Sequence, residues 1–188
     1  TDLLFLARPR NLSPAPTDAR TVCDEMASLM RFELQEHGVT LSCTMNETTV
    51  YADRDALKQA LLNLVLNALE ALAAVPQDTR AAENTIAIES HRGTDANVKG
   101  VWITVSDTGP GMPEEARRNA FNPFFTTKTK GTGLGLALVD AIMRGHGGKA
   151  VVAGNETAGG AGCSVMLFFP DIAPGTMETA NDETYPHN

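Results

Sequence analysis

Three groups of residues in this 188-residue chain have types and spacings that could do chemistry. The first lies in "DALKQALLNLVLNALEALAAV", where Gln59, Asn63, Asn67 and Glu70 recur at i, i+4, i+8 and i+11. That spacing lays them in one polar stripe on an otherwise apolar helix. Exposed stripes are usually lysine and glutamate, and asparagine is a poor helix former. Two asparagines one turn apart present carbonyl oxygens toward one point, which suits an oxygen-seeking cation such as Mg²⁺. On spacing alone, a solvated stripe and a cation site explain the pattern equally.

The second group is "ITVSDTGPGM", residues 103–112, in which a strand delivers Asp107 into a turn holding Gly109, Pro110 and Gly111. A tight turn with an Asx-type bond from Asp107 to the backbone is the simpler account of these residues alone. The dinucleotide fingerprint is not met, because its third glycine would fall at Glu114. A strand-end carboxylate can also accept from an exocyclic amine, and glycines let a flat base approach the backbone. The third group is "KTKGTGLGLALVDAIMRGHGG", which places Gly131, Gly133 and Gly135 before a helix carrying Leu136, Leu138, Val139, Ile142 and Met143. It lacks the P-loop order, and no strand precedes it. Glycine-rich backbone at a helix N-terminus nonetheless offers N–H groups and a positive dipole end to an anion, with Lys128 and Lys130 upstream adding charge. A flexible capping loop is the competing account. "FNPFFTTK" groups Phe121, Phe124 and Phe125, most simply as a hydrophobic anchor for that loop. His37, His91, His146 and His187 fall into no Ser/His/Asp arrangement and no metal-binding cluster.

These groups need a scaffold. A hydrophobic share of 43% is that of an ordinary globular domain. The net charge of −8 and pI near 4.9 argue against a general nucleic-acid binder. Cys23, Cys43 and Cys163 are far apart in sequence and odd in number, and read as reduced, buried thiols of a cytoplasmic protein. No signal peptide or membrane span is visible; the longest apolar stretch, residues 60–75, is broken by Asn63, Asn67 and Glu70 and reads as a core helix. The chain starts at Thr1 and reads as a fragment whose parent could carry an anchor upstream.

Along the chain, "LLFLARPR" reads as the end of an amphipathic helix, and "SPAP" as a stiff link. Apolar residues at 22, 26, 29, 30 and 34 predict one helix over residues 18–37, closed by Gly38. "VTLSCTM" reads as a strand, and a helix opens at the N-cap Asp53 and runs to Val75. Residues 77–83 read as a loop. "TIAIES" and "VKGVWITVSD" read as antiparallel strands joined by the turn-rich "HRGTDAN". A short helix is expected over residues 114–119, a longer one over residues 134–144, then strands "KAVVAG" and "CSVMLFF" linked by "NETAGGAG". The acidic tail after Pro170 reads as disordered. Three main helices and about five strands in hairpin pairs predict an α+β fold, a two-layer α/β sandwich with helices on one sheet face.

Taken in order, these segments resemble the catalytic ATP-binding domain of bacterial sensor histidine kinases, in the subgroup similar to nitrogen-regulation sensors. "NLVLNALEA" resembles the family's N box, "DTGPGM" its first glycine box, "FNPFFTTK" its F box and "GTGLGLALV" its second glycine box. The resemblance spans roughly residues 18–170, and four ordered boxes are far more specific than any one. It implies a Bergerat-type fold, with a mixed, mostly antiparallel five-stranded sheet under three helices. Residues 1–17 would be the end of a dimerising hairpin helix and a link, and residues 171–188 a tail. It implies ATP and Mg²⁺ as ligands, with Asn67 on the metal and Asn63 close to the phosphates. Asp107 would accept from the adenine amino group over Gly109 and Gly111. Lys128 would meet the terminal phosphate, and backbone from Thr132 through Gly133, Leu134, Gly135 and Leu136 would hold the phosphate chain.

Two departures are visible. Some members place a lysine and a tyrosine three and four positions after the metal-binding asparagine, where this chain has Glu70 and Ala71. No histidine here has the setting of the phosphorylatable one, so the acceptor is expected on a hairpin outside the fragment. Hydrolases of the same fold use a glutamate one turn before the metal-binding asparagine, where Asn63 stands and cannot take a proton. The resemblance therefore implies transfer of the ATP γ-phosphoryl group to a histidine, for onward passage to a response regulator. An ATP hydrolase or a non-catalytic nucleotide-binding module is the alternative. The parent would be a homodimer, membrane-anchored or not, with this domain in the cytoplasm and the fragment itself monomeric.

Overall fold

Strand alternation, helix period and turn chemistry decide the architecture, which the computed structural model describes for residues 12–75, 84–128, 131–154 and 162–171. The expectations for residues 3–10, for residues 77–83, for Lys130, for the 155–161 linker and for the tail beyond Asp171 lie outside the described residues. In chain order the elements are β1 (Ala15–Asp18), α1 (Ala19–Leu29), α2 (Arg31–Glu36), β2 (Thr40–Met45), β3 (Thr49–Ala52), α3 (Arg54–Ala73), β4 (Thr85–Asp95), β5 (Val98–Asp107), α4 (Glu114–Asn119), α5 (Gly135–Gly145), β6 (Lys149–Gly154) and β7 (Cys163–Pro170).

The main sheet has five strands in the order β2-β4-β5-β7-β6, with β2 parallel to β4 and every other pair antiparallel. Alternate residues of the central strands face the helices. Ile86 and Ile88 on β4, Val101, Ile103 and Val105 on β5, and Val165, Leu167 and Phe169 on β7 are all buried. Over them lie α1, α3 and α5, with α3 packed between the other two. This is the expected one-sided two-layer sandwich. α3 is long and apolar enough to cross a membrane by length and composition, yet its Leu57, Leu61, Leu64, Val65 and Leu72 are packed into this core. Each such side chain contributes roughly 1.5–3 kcal/mol by leaving water.

Helix starts follow the sequence cues. Asp53 caps α3, its Oδ1 accepting from the backbone N–H of Asp55 at 3.1 Å and Ala56 at 3.0 Å. Asp18 caps α1 through Arg20 N–H at 3.0 Å. Gly38, at φ +63°, ends α2 in the left-handed region that glycine adopts without cost.

Three local readings are corrected. The helix expected over residues 18–37 bends at Met30, whose φ/ψ of −88°/0° separates α1 from α2. Its buried residues Val22, Met26, Met30 and Leu34 recur every fourth position, so on a straight helix they would drift about 40° per step away from the core. The bend keeps Leu34 inside. "SPAP" is more than a link: Ala15 to Asp18 pair antiparallel with β3 in a separate two-stranded ribbon, and Ser13 N–H donates to Asp53 Oδ2 at 3.0 Å. Proline fits this two-stranded edge, which has no central ladder to break. Finally, "HRGTDAN" is mostly strand. β4 continues to Asp95, and the turn is only Ala96 and Asn97, at φ 45° and 68°, the two-residue hairpin form matched to strand twist.

That extension places Gly93 opposite Gly100. A Cβ on Gly93 would lie 2.8 Å from Trp102 Cδ1, and one on Gly100 2.7 Å from Phe168 Cζ. The two rings, 5.0 Å apart on the sheet face away from the helices, lie across bare glycine backbone, with the Lys149 ammonium 5.6 Å from the Trp102 ring centre.

Candidate functional site

α3 brings Asn63 and Asn67 to its half-buried side, one turn apart. Asn63 Nδ2 donates back to the Gln59 carbonyl at 2.9 Å, which turns Oδ1 outward. Directly across stands the first residue of α5. A Cβ on Gly135 would lie 3.2 Å from Asn63 Oδ1 and 3.4 Å from Asn67 Nδ2, so only a glycine leaves that approach unstrained. Among the described residues no side chain caps α5 at Leu134. Its first-turn N–H groups and positive dipole end therefore face the two amides. The asparagine part of the stripe is thus not a solvated face, although Glu70 is exposed: two asparagines and a helix N-terminus share one cleft.

Lys128 reaches the same place. Its Nζ donates to Asn67 Oδ1 at 3.3 Å and to Glu70 Oε2 at 2.5 Å. An ammonium on the Asn67 oxygen shows that this oxygen is oriented to receive a cation. Glu70 belongs to the stripe read from sequence, but its pairing with Lys128, 58 residues away, has no local signal.

At the far end, Asp107 is 7% exposed and Oδ1 accepts from Gly109 N–H at 2.8 Å, the Asx-type turn that its sequence suggests. The Cys163 backbone N–H also donates to it. Burial holds the carboxyl above its ordinary value, against these donors and the attraction of Lys128. A Cβ on Gly109 would sit 3.7 Å from Ala71 Cβ, so Ala71 walls the space over the turn in place of a larger ring. Gly111, at φ +77°, lies against Gly162 backbone, where a Cβ would be 3.2 Å from the carbonyl oxygen. Two neighbours escaped the sequence reading. Cys163 is pushed up to about 11 by burial and by the Asp107 carboxylate, with Arg117 opposing. Arg117 extends from α4 across Gly154 on β6.

Gly133, at φ +68°, packs on the backbone of Phe124, whose N–H donates to the Gly133 carbonyl at 3.0 Å. This closes the base of the loop between α4 and α5. The aromatic anchor is corrected: Phe124 is 67% exposed and held at φ 66° by that backbone pairing, while Phe121 and Phe125 are half-buried. Thr132 is exposed; Leu134 is buried and Leu136 packs against the core, so those two leucines offer a ligand their backbone. The structure gathers Asn63, Asn67, Lys128 and Gly135 at one end and Asp107, Gly109 and Gly111 at the other. The arrangement suits an elongated ligand, anionic at the α5 end and with a flat hydrogen-bonding group at the Asp107 end.

Residues 52–173 match the family model described as histidine kinase-, DNA gyrase B-, and HSP90-like ATPase. Sensor histidine kinase ZraS of Salmonella typhimurium is 36% identical over 176 residues, which is 92% of this chain and 35% of ZraS. Nitrogen regulation protein NtrY of Azorhizobium caulinodans is 40% identical over 128 residues, 68% of this chain and 16% of NtrY. The chain thus spans about a third or less of these relatives' length. Among solved structures, the catalytic domain of histidine kinase ThkA superposes with a TM-score of 0.68 at 30% identity, covering 85% of this chain and 98% of that one. Full-length ShkA, in complex with AMPPNP, gives 0.71 at 28% identity over 92% of this chain and 35% of its own.

Proposed function

The chain belongs to the histidine kinase-, DNA gyrase B- and HSP90-like ATPase family, and from that premise we propose that it is the ATP-binding catalytic domain of a sensor histidine kinase. In this reading it passes the γ-phosphoryl group of ATP to a histidine on a hairpin outside the fragment, and the phosphoryl group moves on to a response regulator. The observation that carries the reading is the apposition of α5 to α3, with Gly135 against the Asn63 and Asn67 amides. A complex of ThkA with the response regulator TrrA supports the last step by analogy. The domain would act in the cytoplasm.

The residues then divide the work. Asp107 accepts from the adenine amino group, with Gly109, Gly111 and Ala71 leaving room for the ring. Backbone N–H groups from Thr132 through Gly133, Leu134, Gly135 and Leu136 hold the phosphate chain at the dipole end of α5. Lys128 exchanges Glu70 and Asn67 for the terminal phosphate, and Asn63 donates or accepts beside it. The Asn67 carbonyl oxygen, already turned to a cation, fits magnesium, whose charge would offset that of the triphosphate when bound. Asn63 cannot remove a proton, so water in the cleft is left unactivated by it. Transfer to an imidazole, itself a neutral nucleophile near pH 7, needs positioning and charge compensation more than a base.

The test is Mg-ATP binding by calorimetry, followed by labelled γ-phosphate transfer to a supplied hairpin. Asn67→Ala should lose magnesium-dependent binding and transfer together. Transfer surviving intact in Asn67→Ala would refute the assignment. Sustained phosphate release without the hairpin would mark a hydrolase, and binding without either activity a non-catalytic module.

A further inference from the structure

Cys23 and Cys43, twenty positions apart in sequence, meet in the fold away from the cleft described above. Cys23 lies on the buried face of α1 with Val22 and Met26 and is wholly inaccessible. Cys43 sits on β2 opposite Ile88, a wholly buried residue of the helix-facing side, and packs against the same core from a half-buried position. α1 lies on β2, and Arg20 fastens the two by donating from Nη2 to the Met45 carbonyl at 3.1 Å. Across this contact the two thiols lie close enough for each to shift the other's ionisation.

We propose that Cys23 and Cys43 form a redox-active dithiol that a peroxide closes to a disulfide, joining α1 covalently to β2. Among the described residues β2 is an edge strand of the main sheet with β4 as its one neighbour there, and Cys43 is half-buried, so a molecule as small as hydrogen peroxide has a route to it. The neighbouring Cys23 thiol holds Cys43 below its ordinary value, while Cys43 and burial raise that of Cys23. Cys43 is accordingly the sulfur that attacks the peroxide first, since the thiolate is the nucleophile. Its sulfur takes one peroxide oxygen, the O–O bond breaks and hydroxide leaves, giving the sulfenic acid. The Cys23 sulfur then attacks that sulfur. The S–S bond forms, the S–O bond breaks, and the departing hydroxyl carries the second thiol proton away as water. Two thiols lose two electrons, and one peroxide becomes two waters. Cys163, beside Asp107 and raised by burial, has no part in this.

The inference does not depend on the nucleotide reading. The folded protein is treated with hydrogen peroxide, remaining thiols are alkylated, and the digest is examined by mass spectrometry. The expected result is a Cys23–Cys43 cross-linked peptide two hydrogens lighter than its reduced parts and lost on treatment with dithiothreitol. It should form at least tenfold faster in the folded protein than in urea, at an unchanged rate in Cys163→Ser, and not at all in Cys43→Ser. Overturning results are cross-links that form only in urea, cross-links chiefly to Cys163, or a folded protein in which peroxide leaves Cys23 and Cys43 unlinked.

Discussion

Substituting Gly135→Ala tests whether the α3–α5 cleft holds an anion. The added methyl would lie 3.2 Å from Asn63 Oδ1 and 3.4 Å from Asn67 Nδ2, contacts that require the amides to retreat by a few tenths of an ångström. Asn63 is tethered by its bond to the Gln59 carbonyl at 2.9 Å, so the retreat means a χ displacement costing on the order of 0.5–1.5 kcal/mol. Alanine in place of glycine returns up to about 1 kcal/mol of helix propensity. The two effects nearly cancel, and the melting midpoint should move by only a few degrees. Binding has no such compensation. The methyl enters the space between the amides and the first-turn N–H groups, and the loss of one charge-assisted hydrogen bond costs about 1.5–3 kcal/mol. Mg-ATP affinity should therefore fall roughly 10- to 150-fold. Isothermal titration and a thermal melt read both quantities on one sample. The reasoning is refuted by an alanine variant that binds Mg-ATP as tightly as the parent. It is equally refuted by a collapse of the midpoint, which would make the contact a support of the fold.

Two further outcomes follow from the geometry. Buried His146 must be neutral, because Nε2 accepts from Asp53 N–H at 2.8 Å while Nδ1 donates to the Ile142 carbonyl at 2.8 Å. Burial lowers its pKa from the model-peptide value of 6.5, so below that pH the unfolded chain binds the extra proton first. Stability should be full above pH 6.5 and fall as pH drops through the window down to the lowered folded value. His146→Phe, although less stable by about 1–3 kcal/mol for the orphaned N–H, should show a flatter midpoint profile between pH 5 and 7.5; an unchanged slope would contradict this. Gly133→Ala should cost about 1–2 kcal/mol for its positive φ. It should also press on Phe124, whose Cα would lie 2.7 Å from the new methyl. Hydrogen exchange at the Phe124 amide should accelerate, and unchanged protection would show the loop base to be held otherwise.

What was legible in the sequence follows from how local each signal is. The cap at Asp53 and the stop at Gly38 act within a turn of themselves, and both are where the residues suggest. The two asparagines could be assigned to one face by spacing, but whether that face met water or α5 depended on a partner 68 residues further along. The Lys128–Glu70 pairing and the meeting of Cys23 with Cys43 are likewise products of packing, invisible to any window of sequence. The hairpin was misjudged because Gly93 and Asn97 read as turn residues. Gly93 in fact serves the neighbouring ring of Trp102, leaving only Ala96 and Asn97 to reverse the chain.

The glycines beneath Trp102 and Phe168 bear on recognition at the opposite end of the hairpin. In a ladder with period two, a slip of one residue between β4 and β5 would carry Asp107 from the helix side of the sheet to the solvent side. The Gly93–Gly100 pair admits the two rings only in its present alignment, since any neighbouring residue would put a side chain where a ring lies. An aromatic clasp at one end of β5 thus keeps a carboxylate at the other end aimed into the cleft. If Asp107 accepts from a base as proposed, a change at Trp102 would blunt base selectivity without touching the ligand.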